Sequence, residues 1–199
     1  MGNLTIERVC VFCGSSRGRR TEFEESARDL ACALAEREID LVYGGGSVGL
    51  MGILADEMLR LQRQVIGVIP RALAAREVAN LALADLRVVG TMHERKSLMA
   101  ELSDAFIALP GGFGTFEELF EIITWAQLGI HQKPIGLLNV NGYFDPLLLM
   151  ISRAVEEEFI RPQYSRLIVI ANEIRELLDL LDRFEPMEGL TKWVDLVDT

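Results

Sequence analysis

Short apolar runs alternate with longer stretches of helical periodicity along this whole chain, and that alternation restricts the fold more than any single motif does. Seven runs have the length and composition of strands: Arg8–Cys13, Asp40–Tyr43, Val65–Ile69, Leu86–Val89, Asp104–Leu109, Pro134–Leu138 and Leu167–Ile170. Helical patterns lie between them at Thr21–Arg37, Val48–Leu61, Met92–Leu102, Phe116–Leu128, Pro146–Phe159 and Ile174–Phe184. Arg71–Ala84 is Ala-rich and loosely periodic, and reads as broken helix or loop. Strands joined by crossover helices form parallel sheets, so the expectation is an α/β fold: a doubly wound parallel sheet of about seven strands with helices on both faces. The 199 residues fit one such domain spanning 1–199. A hydrophobic content of 50% agrees with strands covered on both sides.

Ligands of such Rossmann-like sheets bind beyond the carboxyl ends of the strands, and there the sequence concentrates its informative residues. The first strand empties into Gly14-Ser15-Ser16-Arg17-Gly18 and the second into Gly44-Gly45-Gly46-Ser47-Val48-Gly49. The fourth leads to Thr91-Met92-His93-Glu94-Arg95-Lys96, and the fifth breaks at Pro110-Gly111-Gly112 before an acidic-tipped helix. A Gly-rich turn that opens a helix leaves backbone N–H groups uncovered at the positive end of the helix dipole, which favours a phosphate.

Each motif has a plainer reading as well. Gly44-x-Gly46-x-x-Gly49 satisfies a dinucleotide fingerprint, but the next strand ends Ile69-Pro70-Arg71, without the acidic residue that holds a ribose. Glycines that permit a tight turn and close helix packing account for it better. Thr115-Phe116-Glu117-Glu118 fits a capping box, with Phe116, Leu119, Phe120 and Ile123 as the apolar face. The pattern therefore leaves Glu118 open between a cap and a catalytic or ligand contact. Arg95 and Lys96 put two cations at a helix start, against the dipole, which points to a ligand more than to a solvated surface.

Other chemistries lack their residues. Cys10 and Cys13 lie three apart on one strand and point to opposite faces, so they read as buried hydrophobes. Three cysteines without secreted spacing suit a reducing cytoplasm. His93 and His131 are too few for a metal cluster, no G-x-S-x-G elbow occurs, and only Lys96, Lys133 and Lys192 could form a Schiff base. A formal charge of −10 argues against nucleic acid and anionic lipid as partners, and Arg17, Arg19 and Arg20 read as solvated surface. No signal peptide and no membrane span is expected.

Taken together these motifs resemble the LONELY GUY (LOG) family of cytokinin riboside 5'-monophosphate phosphoribohydrolases, often labelled lysine decarboxylases. The likeness rests on Cys13-Gly-Ser-Ser16, Val42-Tyr-Gly-Gly-Gly-Ser-Val-Gly-Leu-Met-Gly52, Thr91-Met-His-Glu-Arg-Lys96 and Pro110-Gly-Gly-Phe-Gly-Thr-Phe-Glu-Glu118. Thr124–His131 and Gly136–Asp145 extend it. The resemblance implies hydrolysis of the N-glycosidic bond of AMP or an N6-prenyl-AMP, with no cofactor and no metal. It implies Arg95 and Glu118 as the catalytic pair and Gly112, Gly114 and Thr115 at the 5'-phosphate. Glu77, Lys96, Phe113, Glu117, Thr124, Gly14, Ser15, Gly45 and Gly46 would line the substrate site. A homodimer is implied too, with Phe159 and the Met-containing helices as candidate surface. The chain departs from the family in its first loop, where Arg17 to Arg20 and Phe23 stand in place of a Pro and a Tyr. A nucleotide sensor or carrier without turnover, and a general purine 5'-monophosphate nucleosidase, are the alternatives.

Overall fold

In the computed structural model, which describes residues 5–74 and 79–187, seven parallel strands form one sheet in the order β4-β3-β2-β1-β5-β6-β7. The strands are β1 (Arg8–Phe12), β2 (Asp40–Tyr43), β3 (Val65–Pro70), β4 (Asp85–Val89), β5 (Ala105–Ala108), β6 (Ile135–Leu138) and β7 (Ile168–Ala171). Helices α1 (Thr21–Glu36), α2 (Gly49–Arg60), α3 (Arg71–Ala74), α4 (Met92–Glu101), α5 (Phe113–Gln127), α6 (Asp145–Glu156) and α7 (Ile174–Asp182) connect them, with short 3-10 turns at Val140–Gly142 and Pro162–Leu167. The doubly wound sheet expected from the alternation is thus present, with strand ends shifted by at most one residue.

Side-chain alternation divides the core in two. Val9, Val11 and Cys13 join Leu41, Tyr43, Ile107 and the apolar sides of α1, α2 and α7. Cys10 and Phe12 join Val42, Phe106, Ala108 and residues of α4 and α5 on the other face. The two thiols therefore face opposite ways, as period-2 geometry requires. Burial and the nearby Glu118 carboxylate raise both thiol pKa values, which keeps them inert.

The winding order reverses at β1, which pairs with β2 on one side and β5 on the other. The loops after β1 and β5 diverge from this switch point and frame a crevice. Gly14 N–H donates to Pro110 O at 3.0 Å and Leu50 N–H to Gly14 O at 2.9 Å, tying the crevice walls together.

Helix α5 differs from its expected form in two respects. It begins at Phe113 with Gly112 as N-cap, not with Thr115 as cap, and its first i to i−4 bond runs from Phe116 N–H to Gly112 O at 3.1 Å. Thr115 lies inside the helix, so the Thr115–Glu118 capping box does not form. A side-chain cap is instead found one helix earlier: Thr91 Oγ1 accepts from Glu94 N–H at 3.1 Å, and the Glu94 carboxylate reaches back past the cap to accept from Gly90 N–H at 2.7 Å. Second, the buried face of α5 is Thr115, Glu118, Leu119, Ile122 and Ala126. Of the expected face Phe116, Leu119, Phe120 and Ile123, Leu119 is fully buried and Phe116 and Ile123 pack partly buried against the same core, but Phe120 is 38% exposed and Glu118 takes a buried place instead.

Candidate functional site

Arg95 is delivered by the first turn of α4, after β4, and Glu118 by the second turn of α5, after β5. Their side chains meet above the sheet at 2.5 Å, Arg95 Nη1 donating to Glu118 Oε1, and both are nearly buried at 9% and 10% exposure. Arg95 Nε also donates to Val68 O at 3.1 Å, so the guanidinium is held from two sides. Gly44 makes room for it: a Cβ there would lie 2.1 Å from Arg95 Nη2. This is the physical reason for the first glycine of the second loop. The last one, Gly49, has φ of +63° and its Cβ would strike the Ser15–Ser16 backbone at 2.2 Å.

Burial raises the pKa of Glu118 above its ordinary 4.5, against the opposing charge and hydrogen bond of Arg95. A poorly solvated carboxylate held by a guanidinium is poised to interact with positive charge developing nearby. Beside this pair Lys96 is also nearly buried, bonded to Glu117 and, at 3.0 Å, to Glu121. Burial lowers its pKa, but the two carboxylates outweigh that and the net shift is upward. Two cations and three carboxylates thus share one small region, a net negative wall suited to a cationic transition state.

The start of α5 supplies the opposite electrostatics. Because the first helical bond belongs to Phe116, the amides of Phe113, Gly114 and Thr115 have no partner within the helix. A Cβ at Gly112 or at Gly114 would meet nothing within 4 Å, so both glycines border open space. Gly111 is packed tight instead, its Cβ position lying 2.1 Å from Thr115 Oγ1. Phe113 projects outward at 93% exposure. The adjoining cleft of about 290 Å³ is lined by Gly14, Ser15, Ser16, Arg17, Gly18, Phe23, Leu50, Pro110–Gly112 and Tyr143.

Of the expected site residues, Gly14, Ser15 and Gly112 line this cleft, while Arg95 pairs with Glu118 and Lys96 with Glu117 where α4 meets α5. Gly45 and Gly46 sit on the flank, where Gly45 O accepts from Asn80 N–H at 2.8 Å and Gly46 bridges to Ala79. Thr124 does not join the cleft; it lines a separate apolar groove of about 470 Å³ with Phe120, Ile123, Leu148 and Tyr164. Glu77 falls outside the described residues. Among the described residues, no group of His, Cys, Asp and Glu is arranged to hold a metal ion.

Two cleft residues escaped the sequence reading. Arg17 is solvated as expected, its side chain 64% exposed and paired with Glu24 at 3.3 Å, but it also lines the cleft. Tyr143 enters from the loop after β6, which strand-end logic would have flagged had it been carried to the sixth strand.

Comparison with known proteins sets this site beside studied relatives. Residues 51–181 match the family described as "Possible lysine decarboxylase". A cytokinin riboside 5'-monophosphate phosphoribohydrolase of Arabidopsis thaliana is 53% identical over 181 residues, covering 91% of this chain and 83% of that protein. A second from the same plant is 53% identical over 186 residues, covering 94% and 86%. Among solved structures, a molybdenum cofactor binding protein from Rippkaea orientalis superposes with a TM-score of 0.66 at 20% identity, covering 88% of this chain and 95% of that one, a likeness of fold alone.

Proposed function

The chain belongs to the family of cytokinin riboside 5'-monophosphate phosphoribohydrolases, and from that premise we propose that it hydrolyses the N-glycosidic bond of an N6-substituted adenosine 5'-monophosphate. Water adds at C1' of the ribose, the bond to N9 breaks, and the products are the free base, an active cytokinin, and ribose 5-phosphate. The observation that carries this reading is the buried Arg95–Glu118 pair beside an open, glycine-bordered helix start.

In this account the 5'-phosphate sits on the amides of Phe113, Gly114 and Thr115, where the helix dipole favours a dianion and no Cβ obstructs it. Gly14 and Ser15 close the other wall. Glycosidic cleavage passes through an oxocarbenium-like state, so Glu118 stabilises positive charge at C1' and takes a proton from the attacking water. Arg95 holds that carboxylate in place and orients the ribotide, so that binding at the phosphate is expressed at the sugar carbon. Lys96, fixed by Glu117 and Glu121, borders the same space. Incubation with AMP and with N6-isopentenyl-AMP, following free base and ribose 5-phosphate in equal amounts, tests the reading; tight binding of both without base release contradicts it.

The reading extends to assembly and location. No residue of α6 is buried, and Leu149, Met150 and Phe159 are 73%, 68% and 87% exposed next to the apolar groove that holds Thr124. An apolar face of that extent on one chain supports a homodimer with a second copy laid over α5 and α6. Three unpaired cysteines support a cytoplasmic location. Among the described residues no helix is long and apolar enough to cross a membrane.

A further inference from the structure

The loop Asn139–Asp145 is built with more care than a connection between β6 and α6 needs. The buried Asn139 side chain accepts from Phe144 N–H at 2.8 Å and donates to Asp145 Oδ1 at 2.7 Å. Asn141 and Gly142 both adopt the left-handed region, at φ of 51° and 68°. Asn and Gly are the residues that enter this region at least cost, so the turn closes tightly. The product of this turn is the placement of Tyr143. Its hydroxyl donates to Gly111 O, and its ring packs edge-on to Phe23 at 5.8 Å and stacks on Phe116 at 6.5 Å.

Gly111 O belongs to the peptide that carries Gly112 N–H. In a trans peptide the C=O and the N–H point in opposite directions, so fixing one fixes the other. The preceding carbonyl, Pro110 O, is likewise held, by Gly14 N–H at 3.0 Å. Two consecutive peptide planes at the entrance of α5 are therefore locked from outside the helix, where glycines alone would leave them free to rotate. We propose that Tyr143 is a positioning residue for the substrate's 5'-phosphate: through Gly111 it sets the Gly112 amide into register with those of Phe113, Gly114 and Thr115, so that it joins them in a single anion seat. The proposal rests on the phosphoribohydrolase reading for the identity of the anion, and on the hydroxyl–carbonyl contact for its mechanism.

The test is Tyr143→Phe, which keeps the ring contacts and removes only the hydroxyl. KM for N6-isopentenyl-AMP rises about fivefold to tenfold while kcat stays within about twofold, and the inhibition constant of the product ribose 5-phosphate rises by the same factor. Calorimetric titration with AMP shows a matching loss of affinity, and this readout does not depend on turnover. Unchanged KM and AMP affinity in a folded variant overturn the proposal, as does a fall in kcat with KM preserved. If the unmodified protein binds AMP without releasing base, the hydrolase reading fails, and the AMP titration of the variant still decides the role of Tyr143. If the unmodified protein does not bind AMP at all, both fall.

Discussion

Glu118 and Arg95 each occupy a position where an unpaired charge would be strongly destabilising, and each removes that problem for the other. Truncating one partner of such a buried pair costs about 3–5 kcal/mol. Glu118→Gln is therefore the more informative change, since the amide oxygen still accepts from Arg95. The raised pKa of Glu118 makes two further predictions with definite signs. If the ionised carboxylate is the working form, kcat/KM rises with pH along a limb centred above the ordinary carboxyl value of 4.5, and this limb is absent from the residual activity of Glu118→Gln. For stability, a raised folded pKa means that the contribution of Glu118 is fully present below pH 4.5 and is lost as pH rises through the folded value. Melting temperatures of the two proteins compared across that range should show the variant gaining on the parent as pH increases.

Among the elements, α5 carries the largest share of the chemistry, and its first turn is where stability and binding are set against each other. Gly114 lies inside the helix with open space around it, so alanine there fits without a clash. Helix propensity predicts that Gly114→Ala stabilises the fold by up to about 1 kcal/mol. The same methyl group would stand where the phosphate must approach, so KM for the nucleotide should rise severalfold while the melting temperature rises or holds. A variant that loses stability and keeps its KM would mean that the helix start is not the phosphate seat. Helix α6 shows the converse case: Leu147 and Leu148 pack partly against the core, but Leu149 and Met150 stay 73% and 68% exposed among the described residues. Leu149→Asp should leave the fold intact and convert a particle of twice the 22.2 kDa chain mass into a monomer, as read by light scattering; an unmodified protein that is already monomeric contradicts the dimer.

At the scale of the whole molecule, the architecture was legible from the sequence because parallel strands buried on both faces leave uninterrupted apolar runs. Val65–Pro70 is buried at every position, which is the pattern that such a run reports. The carboxyl-end rule then located Gly14, Gly44, Arg95 and Gly112 on one edge. What pattern could not resolve was the phase of α5. Hydropathy scores Glu118 as solvent-facing, yet it is buried, because a guanidinium arriving from α4 makes burial tolerable. Nor could it see that Gly44 exists to admit Arg95, a contact between residues far apart in the chain and joined only by the fold. The contact of Tyr143 was hidden for a similar reason: its partner is a backbone carbonyl, which has no signature in sequence. The direct test of the whole account is the release of free base from N6-isopentenyl-AMP by the unmodified protein and by Glu118→Gln, each shown by titration to bind the nucleotide. The account predicts stoichiometric base and ribose 5-phosphate from the first and a rate lower by at least about a hundredfold from the second; equal rates, or no base from either, would contradict it.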